Sequence, residues 1–292
     1  MKLIRPSFEI WEQPAGLEGI YKQIERAGRV CYKSEDKITE NSAKSFVDRM
    51  IASGHGAMLE HGTVYLQIKS RDAENYHLFY NKYSSNPHSY INVGRGCMWN
   101  TLYITTNYRV LVENNWLDDL KYLCEPTEYH AKRITVHFAC DRGVSHEYVR
   151  HRVFSFAQES TRYCNYSKDK FGNELIFIEP CWLEDYNYKD NTYNQLFIDS
   201  LRFAEAHYLD LLKRWDDKIP DKRYKTGFRN NPWTPQQARA VLPNALKTEL
   251  VMTGFINDWK HFFELRCAPN AHPSARELAI PLSEEFVKKG LV

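Results

Sequence analysis

The sequence predicts an α+β fold: a mixed, largely antiparallel sheet packed with helices and lacking a Rossmann unit. Three observations lead there. Short alternating strands and long helical stripes are interspersed, without the strict strand–helix alternation of a doubly wound sheet. The glycine loop of a dinucleotide fold is missing, because Gly94-Arg95-Gly96 lacks a third glycine and a convincing strand before it. The 292 residues, 43% hydrophobic and 26% charged, can build a sizeable core. No compositional linker divides them, so one domain over 1–292 is expected, carrying an insertion.

The elements follow from periodicity. Ile38 to Ser53 reads as a helix because Ala43, Phe46, Val47, Met50 and Ile51 recur at three- and four-residue steps. Thr39 is its expected N-cap and Gly54 its stop. Val64, Leu66 and Ile68 alternate with polar neighbours and predict a strand. Asn75 to Gly96, rich in Tyr, Asn, Ser and Gly, reads as loop, and Tyr108 to Leu123 carries a weak helical pattern. A strand through Ile134, Val136 and Phe138 precedes a short helix from Gly143 to Arg152. Ile176 to Ile178, ended by Pro180, is a further strand. Thr192 to Ile219 has the clearest stripe: Leu196, Phe197, Leu201, Ala204, Tyr208, Leu211, Leu212 and Trp215. Gln236 to Val241 reads as helical, Leu246 to Met252 is ambiguous, and Ile256 to Leu265 is helical. A last helix starts at Ser274 and is disturbed by Pro281.

Composition narrows the function. Lys+Arg 39 against Asp+Glu 37 gives a charge of +2, which does not support a surface built wholly for nucleic acid. No apolar run reaches the ~18 residues of a membrane span, and Met1 to Pro6 has no apolar signal core. The seven cysteines are odd in number and none lies within four residues of another, so neither a disulfide framework nor a zinc ribbon is expected. A reducing cytoplasm is the expected compartment.

The chemistry-bearing residues cluster late in the chain. His146 and His151 mimic a zincin pair, but five steps at ~100° each put them on different faces of a helix, and no metal site is expected. No Walker loop and no Gly-x-Ser-x-Gly elbow is present. Arg150-His151-Arg152 is followed by Ser155, Gln158, Ser160, Arg162 and Tyr163. Read alone, this stretch is either a solvated basic helix end or a set of guanidinium forks and hydroxyls for phosphate and pyrimidine edges. Phe154, Phe156 and Ala157 make it too apolar for a fully exposed face. Arg239, in the apolar run Ala238 to Pro243, and Arg266, ending Phe262-Phe263-Glu264-Leu265-Arg266, add cations for one anionic ligand.

Arg150-His151-Arg152, seven residues, then Ser160-Thr161-Arg162-Tyr163 resembles the signature of flavin-dependent thymidylate synthases. Ala238 to Pro243 with Thr248, and Phe262 to Arg266 with Ala271 and Arg276-Glu277-Leu278, are similar to later family motifs. Gly54-His55-Gly56 with Glu60-His61 resembles an early one.

The resemblance implies methylation of dUMP to dTMP with 5,10-methylenetetrahydrofolate as carbon donor, FAD as hydride carrier and NADPH as reductant. It also implies a homotetramer with shared active sites and a fold without a Rossmann unit. It assigns dUMP to Glu147, Arg150, Gln158, Glu159, Ser160, Thr161, Arg162, Arg239 and Arg266, with Arg266 as the catalytic residue against the uracil edge. FAD falls to His55, Glu60, Arg150, His151, Arg152, Gln158, Phe255, Asn257 and His261. Arginine stays protonated, so Arg266 is expected to stabilise negative charge on the ring instead of removing a proton. Ser160 has no activating base in the sequence and is read as orienting substrate. Gln158, Glu147 and His261 stand where the family pattern has a glutamate, frequently an amide, and an asparagine. The stretch 70–133 has no counterpart in shorter members and is the insertion. A nucleic-acid module using the basic stretch, and a silent homologue that binds FAD and dUMP without turnover, are the competing readings.

Overall fold

The computed structural model describes residues 1–71, 76–96, 98–183, 192–213 and 232–292. The strands are β1 (Lys2–Ile4), β2 (Ser7–Trp11), β3 (Thr63–Lys69), β4 (Tyr90–Arg95), β5 (Asn100–Asn107), β6 (Arg133–Asp141), β7 (Ser155–Gln158), β8 (Ile176–Ile178) and β9 (Lys247–Phe255). The first helices are α1 (Gly16–Tyr32), α2 (Ser42–Ala52), α3 (Gly56–Leu59), α4 (Tyr76–Ser84), α5 (Tyr108–Glu113) and α6 (Arg142–Tyr148). They are followed by α7 (Thr192–Leu212), α8 (Pro235–Ala238), α9 (Ile256–Arg266) and α10 (Pro273–Lys288).

The central sheet runs β2-β6-β9-β7, every pair antiparallel. A second antiparallel sheet runs β3-β5-β4, and β1 pairs with β8 in parallel. The expected α+β class with a largely antiparallel sheet holds. Alternation explains the central sheet. Val136, Phe138, Leu250 and Met252 face one side, where Trp259, Phe262, Leu278 and Phe286 of α9 and α10 bury them. Val251 and Ala157 face the other side, against Ala27 and Val30 of α1. Further up α1, Ile20 and Ile24 pack with Val64, Leu66, Leu102 and Ile104 of the second sheet. One amphipathic helix is thereby shared between two sheets.

Several expectations need correction. α2 starts at Ser42, not Ile38, and Asn41 takes the N-cap position in place of Thr39. The Ser42 hydroxyl accepts from the Thr39 N–H and donates to Glu25, which holds the preceding turn out of the helix. Gly54 does terminate the element, at φ +70°. The stretch expected as loop contains α4 and β4. Tyr76, Phe79 and Tyr83 recur at helical spacing and bury themselves in the second core while the polar residues face outward. The weakly helical stretch from Tyr108 divides into α5 and a 3-10 turn at Leu117–Tyr122.

The ambiguous stretch at Leu246 is β9, paired on both edges. α10 runs through Pro281 without stopping, because Ala275, Leu278, Ala279, Leu282 and Phe286 bury one continuous stripe that offsets the ~3 kcal/mol a helical proline costs. In α7, Phe197, Leu201, Tyr208, Leu211 and Leu212 of the stripe pack together as expected, whereas Leu196 is exposed; the stripe's expected end, with Trp215, lies outside the described residues. The stretch 70–133 supplies β4 and β5 to the second sheet, and β5 pairs with β3 from Thr101 to Asn107. No helix among the described residues is long and apolar enough to cross a membrane.

Candidate active site

The turn between α6 and β7 carries Arg150-His151-Arg152, and its position is fixed from below. Asp141 caps α6 by accepting from the Val144 N–H at 2.7 Å. Tyr148, fully buried between Phe138 and Phe262, donates its hydroxyl proton to the Ala275 carbonyl at 2.9 Å. Phe154 lies so close over Gly254 that a Cβ there would meet its ring at 2.5 Å, so only glycine fits that point of β9. His146 is exposed and His151 buried, so the two imidazoles face apart.

Three of the expected residues meet in one constellation. Arg266 donates from Nε to His151 Nε2 at 2.8 Å and from one terminal nitrogen to Glu147 Oε2 at 2.7 Å. Its other terminal nitrogen donates to the Glu147 carbonyl at 2.6 Å. An arginine has no acceptor, so Nε2 of His151 must be the unprotonated nitrogen. Burial first, and then the Arg266 charge, pull the His151 pKa down to about 4. His151 is therefore neutral at pH 7. Arg150, exposed, lies 3.4 Å from the other Glu147 oxygen. The Glu147 carboxylate is thus engaged by two arginines, and Arg152 is exposed, with no carboxylate partner among the described residues.

A second group lies just past β7. Arg239 donates to the Thr161 hydroxyl at 3.2 Å. The Ser160 hydroxyl accepts from the Arg162 N–H at 3.3 Å, and the Ser160 N–H donates to the Cys31 carbonyl at 3.0 Å. Among the described residues, no base approaches the serine, and the exposed Arg162 and Arg239 have no carboxylate partner. Gln158 turns away from them, donating to the hydroxyls of Ser145 (2.9 Å) and Thr248 (3.3 Å).

Glu159 is buried, and its carboxylate is taken by Lys247 at 2.9 Å and Tyr166 at 2.9 Å. Lys247 also binds Glu249, which is held in turn by Lys33 and His137. Burial alone would raise the Glu249 pKa, but the His137 hydrogen bond and the Lys247 and Lys33 charges hold it well below the usual carboxylate range.

The remaining expected residues form a third group. His55 is exposed at the start of α3. Glu60 pairs with Arg109, a residue of the 70–133 stretch, and its carbonyl accepts from Arg133 at 3.0 Å. Arg133 also donates to Thr63 at 3.3 Å and to Ser155 of β7 at 3.2 Å, and lies 5.6 Å from the Phe255 ring centre. Its burial pushes its pKa down to about 10. Asn257 is exposed on α9. His261, also exposed, pairs with Glu264 at 3.2 Å, its ring 6.3 Å from His151.

Among the described residues, no hydrogen bond or ion pair joins the Arg266 constellation to the Thr161–Arg239 group. Sequence reasoning missed Arg133 and Lys247. The only signal for either was a cation at the head of a strand, where a charge is ordinarily solvent-exposed.

The family described as "Thymidylate synthase complementing protein" matches residues 125–289, more than half of the chain. A flavin-dependent thymidylate synthase of Mycolicibacterium gilvum is 36% identical over 146 residues, 50% of this chain and 54% of its own, so this match spans about half the relative's length. The namesake of Mycolicibacterium vanbaalenii is 26% identical over 266 residues, 90% of this chain and 74% of its own. A solved UMP/dUMP methylase from Streptomyces cacaoi aligns over 99% of this chain and 93% of its own, at a TM-score of 0.43 and 17% identity, too distant to bear on the site.

Proposed function

Because the chain belongs to the thymidylate synthase complementing protein family, we propose that it is a flavin-dependent thymidylate synthase. It methylates dUMP to dTMP, taking the carbon from 5,10-methylenetetrahydrofolate and reducing equivalents from NADPH. The single observation that carries this reading is Arg266, held at three nitrogens beside a neutral His151, in a fold that also presents Arg162 and Arg239 without counter-ions among the described residues. A phosphate needs fixed cations free to bind it, and Arg162 and Arg239 supply them; Ser160 orients the nucleotide between them. Arg266 meets the pyrimidine edge and stabilises negative charge developing on the ring, work for which a permanently protonated fork is suited. Glu147 and His151 position Arg266. Since the Glu147 carboxylate is already occupied by arginine, it does not repel the nucleotide as a bare charge would.

The donor set fits FAD. Arg152 is a cation open to a pyrophosphate, and the half-buried Phe255 ring and exposed His261 offer flat surfaces for a ring system. Arg150, His151, Arg152, Glu60, Phe255, Asn257, His261 and His55 would hold the cofactor. Bound there, FAD supplies hydride transfer. A homotetramer with active sites shared between copies is part of this reading. The six described cysteines are free thiols, which suits a reducing cytoplasm.

The test is a visible spectrum of protein incubated with FAD, desalted and titrated with dUMP. A retained flavin band that shifts with dUMP is expected. A colourless protein, or a flavin that ignores dUMP, overturns the reading. Arg266→Ala is expected to lose turnover far more than FAD retention.

A further inference from the structure

An open cavity of about 660 Å³ lies between α1 and α2. Its wall holds Arg29, Lys37, Arg49, Lys170 and His55, and no aspartate or glutamate lines it. The cations are not equivalent. Arg29 is matched by the buried Glu25 at 2.7 Å, and Lys170 by Asp36 at 3.0 Å. Lys37 and Arg49 are exposed and, among the described residues, have no carboxylate partner. Phe46 forms an apolar floor, its ring centre 4.9 Å from the Arg29 guanidinium and 5.7 Å from that of Arg49. Stacking fixes an arginine without using up its N–H donors, so the fork stays free for an anion. The carbonyl end of α2 brings partial negative charge to this wall, and Arg49 in its last turn offsets it.

The cavity adjoins the nucleotide run. Tyr32, on its rim, lies 5.3 Å from Tyr163, the residue after Arg162, and the neighbouring Cys31 carbonyl accepts from Ser160. A ligand lying beside Ser160 and His55 can therefore extend past the tyrosine pair into a basic chamber.

We infer that Lys37 and Arg49 receive the anionic far end of an elongated co-substrate that passes beside the Ser160–Tyr163 run. The inference rests on the proposed thymidylate synthase reading. Two sources share this chemistry: a chain of carboxylates on a folate, and the phosphate groups of a pyridine dinucleotide.

The test starts with inorganic tripolyphosphate as probe. Protein loaded with FAD and dUMP is titrated calorimetrically, as wild type, as K37Q/R49Q and as R49K. Both side chains are exposed, and a melting curve checks that each variant folds. Wild type and R49K are expected to bind, more weakly at high salt, and K37Q/R49Q to bind at least about tenfold more weakly. Equal affinity in wild type and the double variant overturns the site.

The source is read from KM ratios. Loss in the double variant of a preference for pentaglutamyl over monoglutamyl methylenetetrahydrofolate identifies the folate tail. Loss of a preference for NADPH over NADH identifies the dinucleotide. Two unchanged ratios overturn the co-substrate assignment. A protein that binds tripolyphosphate through these residues, but whose flavin ignores dUMP, keeps the anion site and overturns the functional reading, so the two failures are distinguishable.

Discussion

Lys247→Met tests whether the buried ion network behind the nucleotide run holds that run in place. Lys247 and Glu159 are 11% and 2% exposed in their side chains and lie 2.9 Å apart. The variant leaves Glu159 with only the Tyr166 hydroxyl, and leaves Glu249 with Lys33 and His137. Breaking a buried pair from one side costs ~3–5 kcal/mol, because a charge is left without compensation. In a domain of this size that lowers Tm by roughly 6–12 °C.

The sign with pH follows from Glu249. Its pKa is depressed in the folded chain. The stability it contributes is present above the unfolded glutamate value of ~4.3 and is lost as pH falls below it. The variant has lost one of the charges that depress it, so its Glu249 takes up a proton at a higher pH than in wild type, and the Tm gap narrows only once pH has fallen through that folded value, below ~4.3. Removing both partners, as in E159Q/K247M, is expected to recover part of the loss, since no bare charge remains at position 159. The assay is thermal unfolding followed by circular dichroism from pH 7 to pH 3.5, with dUMP affinity measured alongside. A K247M Tm within about 2 °C of wild type at pH 7, or a gap that widens as pH falls, would refute the reasoning.

Further outcomes are expected at separate points. In Arg266→Ala the charge that helps depress His151 is gone, so its imidazole should titrate above the present value of about 4; NMR of the ring protons reads this, and an unmoved titration contradicts the assigned contact. Arg133→Met removes the link from Glu60 and Thr63 to Ser155 and should weaken flavin retention through desalting, with melting confirming the fold. Gly254→Ala forces a methyl against Phe154 and should destabilise by ~1–3 kcal/mol, read in a urea melt; a neutral effect would mean that the ring is free to retreat.

Legibility in the sequence tracked local periodicity. β6 was readable because Ile134, Val136 and Phe138 alternate with polar residues. β9 was not, because it lies at the centre of the sheet with helices on both faces, and Leu250-Val251-Met252 is apolar on both sides. α1 is absent from the expected helices: its apolar residues divide between two cores, and Gly16, Gly19 and Gly28 weaken the local helical signal. α4 was hidden by its polar and aromatic composition, and only the tertiary structure shows Tyr83 buried and Tyr76 and Phe79 packed against the same core. In the site, the Arg-His-Arg run and the two later arginines were visible as residue types. The pairing of Arg266 with Glu147 joins positions 119 apart and left no local trace. Glu159 looked like a ligand contact from its place in the run, whereas burial gives its carboxylate to Lys247 and Tyr166.

The shared helix α1 has a consequence for how the chain comes apart. One end of α1 covers Val251 and Ala157 of the central sheet, and the other closes the core of the β3-β5-β4 sheet. The family match begins at residue 125, so α1 lies outside it. A fragment restricted to the matched stretch would leave that face of β9 in water, and excising the β4–β5 region would strip Ile20 and Ile24. Neither half owns a complete interior. Amide exchange should then find α1, β5 and β9 opening together as one cooperative unit, at the free energy of global unfolding.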